Sequence, residues 1–442
     1  MPYDYKRFIE VTPLWLRAGA GEKEITFHVR QAHARKFLDE TPQVRVLQVE
    51  GPVPEYRKWL RNAPDAPLRR LDNGDLVVKM EAPAEGEYAL CFGASNENGD
   101  FVTQTAFAVY ALRDDLFEFM PYRGDFHMHS NASDGKENPE YVAATCRRNG
   151  CDFMALTDHF RYAPSLVAKA AMEEFNCDML TLPGEEVHLP DNPPHIVNFG
   201  GNASVNDCVT ADEAAYRAAV AEYMKSVPAK YDPSTRFQVA ASEWTFDRIR
   251  ESGGVAMFCH PFWRPMYHNY IGADVIDLLL ERHRFDVLEV IGGFIAENTE
   301  SNLVAVSRWQ QELARGNVLP VAGVSDCHTC DGVLSGWYYT IVFAGELSFP
   351  ALAEAIRANR SVAVHAIPDT FPLVVGPYRL TKVVYFLLRE FYPRHNELCR
   401  VEGEIMRRAL AGDEPDAKKL LAERRGTVER FMRACRESSQ RR

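Results

Sequence analysis

The sequence predicts a mixed α/β protein in which a central series of parallel βα units follows an antiparallel β-rich domain and precedes a helical tail. Three observations predict it. Between about Pro121 and Ala366, short apolar runs alternate with helix-like stretches. From about Glu24 to Leu112, short alternating strands are separated by turn signals such as DNGD and NENGD, and beyond Tyr378 the pattern is long, charged and helix-forming. The chain has 442 residues, 62 acidic and 50 basic, and is 46% hydrophobic, a composition that fits an ordinary globular protein of about three structural units. No run approaches the ~18 consecutive apolar residues of a membrane span. The opening residues also lack the apolar core of a signal peptide, so a cytoplasmic location with no membrane partner is expected.

The elements follow in order. Residues 1–118 carry EITFHVR, QVRVLQVEG, LVVKMEA, EYALCFGAS and FVTQTAFAVYAL, with Asn-Gly at a hairpin position, and predict a sandwich-like antiparallel domain. Residues 119–366 carry GDFHMH, FMALTDH, MLTLPGEE, HIVNFGG, VAMFCHP, VLEVIGG and LPVAGVSD. Each apolar run ends in polar residues, as expected if functional side chains stand at the C-terminal ends of barrel strands. The segment at about 205–250 is longer than a normal loop and reads as an inserted helical excursion that covers the site. YYTIVFA, LSFPALAEAIRANR and SVAVHA add a strand, a helix and a strand. Residues 367–442 read as a helical appendage, broken at Pro393 and around Gly412 to Pro415.

Charge narrows the partners. The whole chain carries −12, yet from Phe371 onward there are 16 Lys/Arg against 10 Asp/Glu. The body is therefore acidic and repels a phosphate backbone, which disfavours extended nucleic-acid binding but leaves a small anionic substrate open. Oligomeric state is not legible. Ten cysteines without framework spacing read as reduced, mostly buried thiols, with Cys327 and Cys330 forming a lone CxxC that lacks a second pair.

The chemistry gathers at strand ends. His127, His129, His159, His195, His260 and His328 all fall there, accompanied by Asp134, Glu186 and Asp326. In His127-Met128-His129 the two-residue period of an extended chain points both imidazoles to one face, and Asp326-Cys327-His328 repeats that geometry. Any one such histidine is as readily structural as functional. Nine imidazole and carboxylate groups together form a ligand set suited to Mn, Zn or Fe, and they exceed what one tetrahedral ion can use. Two or three divalent ions follow, an arrangement suited to clamping the oxygens of a transferred phosphoryl group.

These motifs resemble the PHP (polymerase and histidinol phosphatase) superfamily. GDFHMHSNASDG is similar to its first motif, ALTDH to its second, LPGEEVHLPDNPPHIVNFGG to its third, FCHP to its fourth and GVSDCH to its last. The resemblance implies a distorted (β/α)7 barrel with up to three metal ions that hydrolyses a small phosphate ester by attack of a metal-bridging hydroxide. It further implies that His127, His129, Glu186 and Asp326 hold the first ion, and that Glu186 bridges to a second held also by His195 and His260. Asp134, His159 and His328 would hold the third and count among the catalytic groups. Between Glu185 and Glu186 the glycine-apolar-glutamate pattern favours Glu186.

Other residues carry weaker expectations. Asp125 and Asp158 are read as acceptors orienting ligand histidines, the usual partners of a metal-bound imidazole. Arg264, Arg161 and Lys136 are candidates to meet the substrate's phosphate. His188 has no motif counterpart and reads as a loop residue, and Trp263 and Tyr267 read as packing or pocket lining. Two other functions suit the same residues: a metal-dependent hydrolase of carboxyl or carbamate esters or amides, and a non-catalytic metal-stabilised binding module.

Overall fold

In a computed structural model of the chain, the residues described are 8–31, 34–36, 39, 41, 43–51, 60, 63–293, 299–330 and 332–437. They divide into two compact units. The first comprises Met1–Phe119, Tyr385–His395 and Thr427–Arg442, the second Met120–Val384 and Asn396–Gly426.

The first unit holds two four-stranded sheets. One has the order β1 (Ile9–Thr12), β3 (Glu22–Val29), β6 (Leu76–Glu81), β5 (Leu68–Arg70), and the other β2 (Trp15–Arg17), β8 (Phe101–Leu112), β7 (Gly86–Ser95), β4 (Gln43–Gln48). Alternation drives them together. In β3 every second residue is buried, and Phe27 meets Phe92 and Phe107 of the other sheet edge-on at 4.9 and 5.1 Å, the favoured geometry for aromatic pairs. Neighbouring strands are antiparallel except β2, which runs parallel to β8.

The second unit contains two sheets that share one apolar interior. A six-stranded sheet has the order β11 (Leu180–Leu182), β10 (Phe153–Ala155), β9 (Met120–Asp125), β17 (Tyr338–Ala344), β18 (Ser361–His365), β19 (Leu373–Val375). A five-stranded sheet runs β12 (Gly184–Leu189), β13 (Asn192–Phe199), β14 (Val255–Phe258), β15 (Val287–Ile291), β16 (Val321–Gly323). Phe153, Leu182 and Val342 from the first pack with Val197, Met257, Val287 and Ala322 from the second. Among the described residues these strands do not form the single parallel ring expected of a (β/α)7 barrel. β9–β10–β11 and β14–β15–β16 are parallel, whereas β12–β13–β14 and β9–β17–β18–β19 are antiparallel. The sheets are joined at their rims by isolated parallel bridges, Met128 to Cys327 and His159 to Glu186.

Two further expectations change. The helical stretch at 205–250 is not wholly an excursion. Its last helix, Pro233–Glu251, buries Val239, Ala240, Trp244, Phe246 and Ile249 in the same apolar cluster as Ile196 and Phe258. It is the core connection between the antiparallel β13 and β14. The tail is also not a separate appendage. Phe391 packs edge-on against Trp15 at 5.3 Å in the first unit, and Met406 and Leu421 join Val142 and Ala168 in a cluster of the second. Its helices carry apolar faces that need a core to cover them. No cysteine among the described residues is in a disulfide, and most are buried.

One residue ties the two sheets of the second unit. Phe126 is fully buried and stacks on Phe153 of β10 at 4.7 Å and on Phe199 of β13 at 4.2 Å. Phe126→Ala is expected to cost about 3–5 kcal/mol, read as a lowered urea midpoint. An unchanged midpoint would show that the sheets do not depend on this stack.

Candidate metal centre

Most candidate ligands stand beyond the end of a strand, but Glu186 and His195, expected at strand ends, lie inside theirs. His127 and His129 follow β9, His159 follows β10, His260 follows β14, and Asp326 and His328 follow β16, while Glu186 lies in β12 and His195 in β13. Backbone hydrogen bonds lock the segments to one another: Asp326 N donates to His127 O at 2.8 Å, His129 N to Cys327 O at 3.0 Å, and Phe160 N to Glu186 O at 3.1 Å. The alternation in His127-Met128-His129 is realised, with Met128 in the apolar cluster that also holds Cys327. His260, Asp326 and Phe160 adopt left-handed φ angles of 26, 47 and 60°. Such angles are rare for residues with a Cβ, and they mark backbone held in place by its surroundings.

Glu186 is the centre of the arrangement. It is completely buried, and its two oxygens face different imidazoles. Oε1 lies 2.8 Å from His195 Nδ1 and 3.3 Å from His260 Nε2. Oε2 lies 2.5 Å from His159 Nδ1, 3.4 Å from His127 Nε2 and 3.6 Å from His129 Nε2. Asp326 Oδ1 is 2.9 Å from His129 Nε2 and 3.3 Å from His127 Nε2. Asp134 sits at the exposed lip, with Oδ1 3.2 Å from His328 Nε2 and Oδ2 3.5 Å from His159 Nε2. All nine residues thus come together.

The electrostatics follow from burial and proximity. Burial opposes ionisation of Glu186, yet His127 and His195 beside it hold the carboxyl well below its ordinary range. Asp326 is likewise lowered, against burial, by His127 and His129. Burial lowers His195 to about 4 and also lowers His129. His127 goes the other way: burial works against its charge, but Asp326 and Glu186 raise it well above the usual value. Cations fit this set on its own orphaned atoms. Among the described residues His127 Nδ1 and Nε2, His129 Nδ1 and His260 Nδ1 are buried without a hydrogen-bond partner, a state that proteins avoid unless something satisfies it. The ligand atoms of His127, His129 and Asp326, and those of His129, Asp134, His159 and His328, lie within 4.8 Å of one another. Cys259 lies near His127 and His260, but burial raises its thiol well above the usual value and Sγ donates to His195 O at 3.0 Å.

No family model matches the chain. It is 34% identical over 86 residues to the DNA polymerase/3'-5' exonuclease PolX of Bacillus subtilis, a match covering 18% of this chain and 14% of that protein. The chain therefore spans only a small part of the curated relative it matches. Among solved structures it is similar to a two-domain protein of Bacteroides vulgatus described as containing a PHP-like metal-dependent phosphoesterase, with 19% identity, 62% of this chain and 71% of that chain covered, and a TM-score of 0.43. It is also similar to an amidohydrolase of Chromobacterium violaceum, with 17% identity, coverages of 47% and 88%, and a TM-score of 0.33.

Around the nine candidate ligands, other expectations need correction. Asp158 does not orient a ligand imidazole. It accepts from Ser130 N and Oγ, both at 2.7 Å, and from Ser133 Oγ at 2.6 Å, and so shapes the loop that carries Asp134. Asp125 accepts from the backbone of Ser325 at 3.1 Å and of His127 at 3.2 Å, and burial pushes its carboxyl up to about 7. Both carboxylates hold backbone because donors of the ligand-bearing loops point at them. Arg264 pairs with Glu300 at 2.9 Å, Arg161 is exposed beyond His159, and Lys136 is exposed with its N–H on His328 O. Trp263 packs near His195, with ring centroids 6.1 Å apart, and Tyr267 is exposed.

Two residues were missed. His188 is in β12 rather than a loop, with Nε2 2.8 Å from His159 Nδ1 and 3.5 Å from Glu186 Oε2. The two-residue strand period from Glu186 could have found it. Glu289, buried in β15, lies 3.6 Å from His127, and a lone carboxylate inside the apolar run VLEVI was the signal.

Glu185 and Glu186 face opposite ways. Glu185 accepts from Val205 N and Ser204 Oγ, both at 2.6 Å, and from Asn206 Nδ2 at 2.9 Å. Glu186→Gln should therefore lower bound metal at two positions together, whereas Glu185→Gln should keep metal stoichiometry and cost about 1–3 kcal/mol of stability. Elemental analysis and denaturation of both variants check this, and exchanged outcomes would make Glu185 the ligand.

Proposed function

We propose that this chain is a metal-dependent phosphoesterase acting on a small anionic phosphate ester, with two or three divalent ions of the Mn, Zn or Fe type. The observation that carries the reading is the division of Glu186 between two sets of imidazoles, one on each oxygen, which suits a carboxylate shared by two cations. His127, His129 and Asp326 would hold one ion with Glu186, His195 and His260 a second, and Asp134, His159 and His328 a third. Ions so held would polarise the phosphoryl oxygens and acidify a water between them.

The chain's own residues supply the rest. Glu186 and Asp326 stay anionic and give the cations their counter-charge. His195, held neutral, keeps a lone pair for coordination. Burial of His127 and Glu186 excludes bulk water from the floor, while Asp134 at 57% and His328 at 37% side-chain exposure leave the lip open to an ester. Arg161 at that rim is the candidate for binding the phosphate. The acidic body supports a small substrate over a long nucleic acid.

The test is turnover of metal-stripped and Mn- or Zn-reconstituted protein against phosphomonoesters, phosphodiesters, carboxyl esters and amides, with metal stoichiometry measured in parallel. Phosphoester turnover that is lost on chelation and regained with two or three bound ions is expected. Turnover of carboxyl esters or amides alone would replace the reading with the other hydrolase. Tight ligand binding without turnover would favour a binding module, and saturation at one ion would remove the multinuclear centre.

A further inference from the structure

We propose that Glu289 is a positioning residue for the metal centre: its carboxylate accepts the Nδ1 proton of His127 and so commits the Nε2 lone pair to the cations. The inference rests on the metal-centre reading above and adds a residue that lies outside the motifs.

Glu289 stands in the middle of β15, its side chain 1% exposed. Both of its carboxylate oxygens are buried without a hydrogen-bond partner, a costly state for an acceptor of this kind. Gly292 stands beside it: a Cβ there would lie 1.7 Å from Glu289 Oε1, so a larger residue would displace the carboxylate from this position. Among the described residues the ionisable group within reach is His127, whose Nδ1 lies 3.6 Å from Oε2. That is longer than a hydrogen bond, and a shift of about 0.7 Å makes one.

The two ring nitrogens of His127 face different things. Nε2 looks at Glu186 Oε2 at 3.4 Å and Asp326 Oδ1 at 3.3 Å, the side where cations would sit, while Nδ1 looks at Glu289. An imidazole that coordinates a cation is neutral and carries one proton, and a carboxylate on the Nδ1 side would place it there. Such an acceptor behind a metal-bound histidine fixes both its tautomer and its ring orientation. Asp125 and Asp158, the carboxylates closest in sequence to the ligands, are engaged with backbone and hydroxyl donors instead.

The experiment is calorimetric titration of metal-stripped full-length protein with Mn or Zn alone, comparing wild type, Glu289→Gln and Glu289→Leu. Glu289→Leu should weaken one metal equivalent by roughly 10–100-fold and leave the others within a few-fold. Glu289→Gln retains a neutral acceptor and should recover most of that loss. If Gln binds as weakly as Leu, the carboxylate acts as a ligand or a required charge and the proposal fails; equal affinities in all three proteins also overturn it. Wild type that binds no metal would instead defeat the metal-centre reading. Should the Leu variant not fold, 15N spectra of histidine-labelled, Zn-loaded wild type decide the matter. A His127 protonated at Nδ1 supports the proposal, and one protonated at Nε2 overturns it.

Discussion

A carboxylate with no access to water must be surrounded by positive or donor groups or surrender its charge. Glu186 is in that position, and much of the second unit can be understood as meeting its demand. Its oxygens reach imidazoles from five different segments, the ends of β9, β10 and β14 together with β12 and β13 themselves. No local stretch of chain could supply that set. Long-range strand order has to, and the two-sheet arrangement delivers it at one rim.

Delivering side chains is not the same as holding them. Segments leaving the strands are fastened in pairs, through the Met128–Cys327 and His159–Glu186 bridges. Carboxylates outside the cluster then take up the loose backbone donors: Asp125 for His127 and Ser325, Asp158 for Ser130, and Glu185 for Val205. Left-handed angles at His260 and Asp326 are tolerated because these fastenings over-determine the local path. Rigidity of this kind matters for a cation site, since ligand atoms that must find their positions on binding lose affinity to ordering.

What was legible in the sequence follows the same physics. The nine candidate ligands could be read because each is a polar residue interrupting or ending an apolar run, and the two-residue period says which neighbours share a face. His188 obeys that period with Glu186 and was set aside only for want of a motif. Glu289 was hidden by its apolar neighbours, and its purpose depends on a contact with a strand more than 160 residues earlier in sequence, which no local pattern encodes. Helix Pro233–Glu251 was misjudged because loop length speaks of insertions, whereas its burial against β13 and β14 is a tertiary fact. Short strands such as β2 and β5, three residues each, fall below the length at which alternation can be recognised. The sheet order was equally out of reach, since antiparallel pairing of β12, β13 and β14 inside a βα pattern is settled by which edges meet.

The gradient of exposure across the centre gives it a direction. His127, His129 and Glu186 are at the floor, His195 and His260 are slightly more open, and His159, His328 and Asp134 are progressively exposed. A charged ester, the substrate proposed above, would meet the lip first, where its own hydration can be shed in steps. The floor stays dry, and interactions there are strengthened by the low local dielectric. Depth alone does not set the titration: burial lowers His129 and His195, whereas against burial the carboxylates raise His127 at the floor and Glu186 raises the half-open His159.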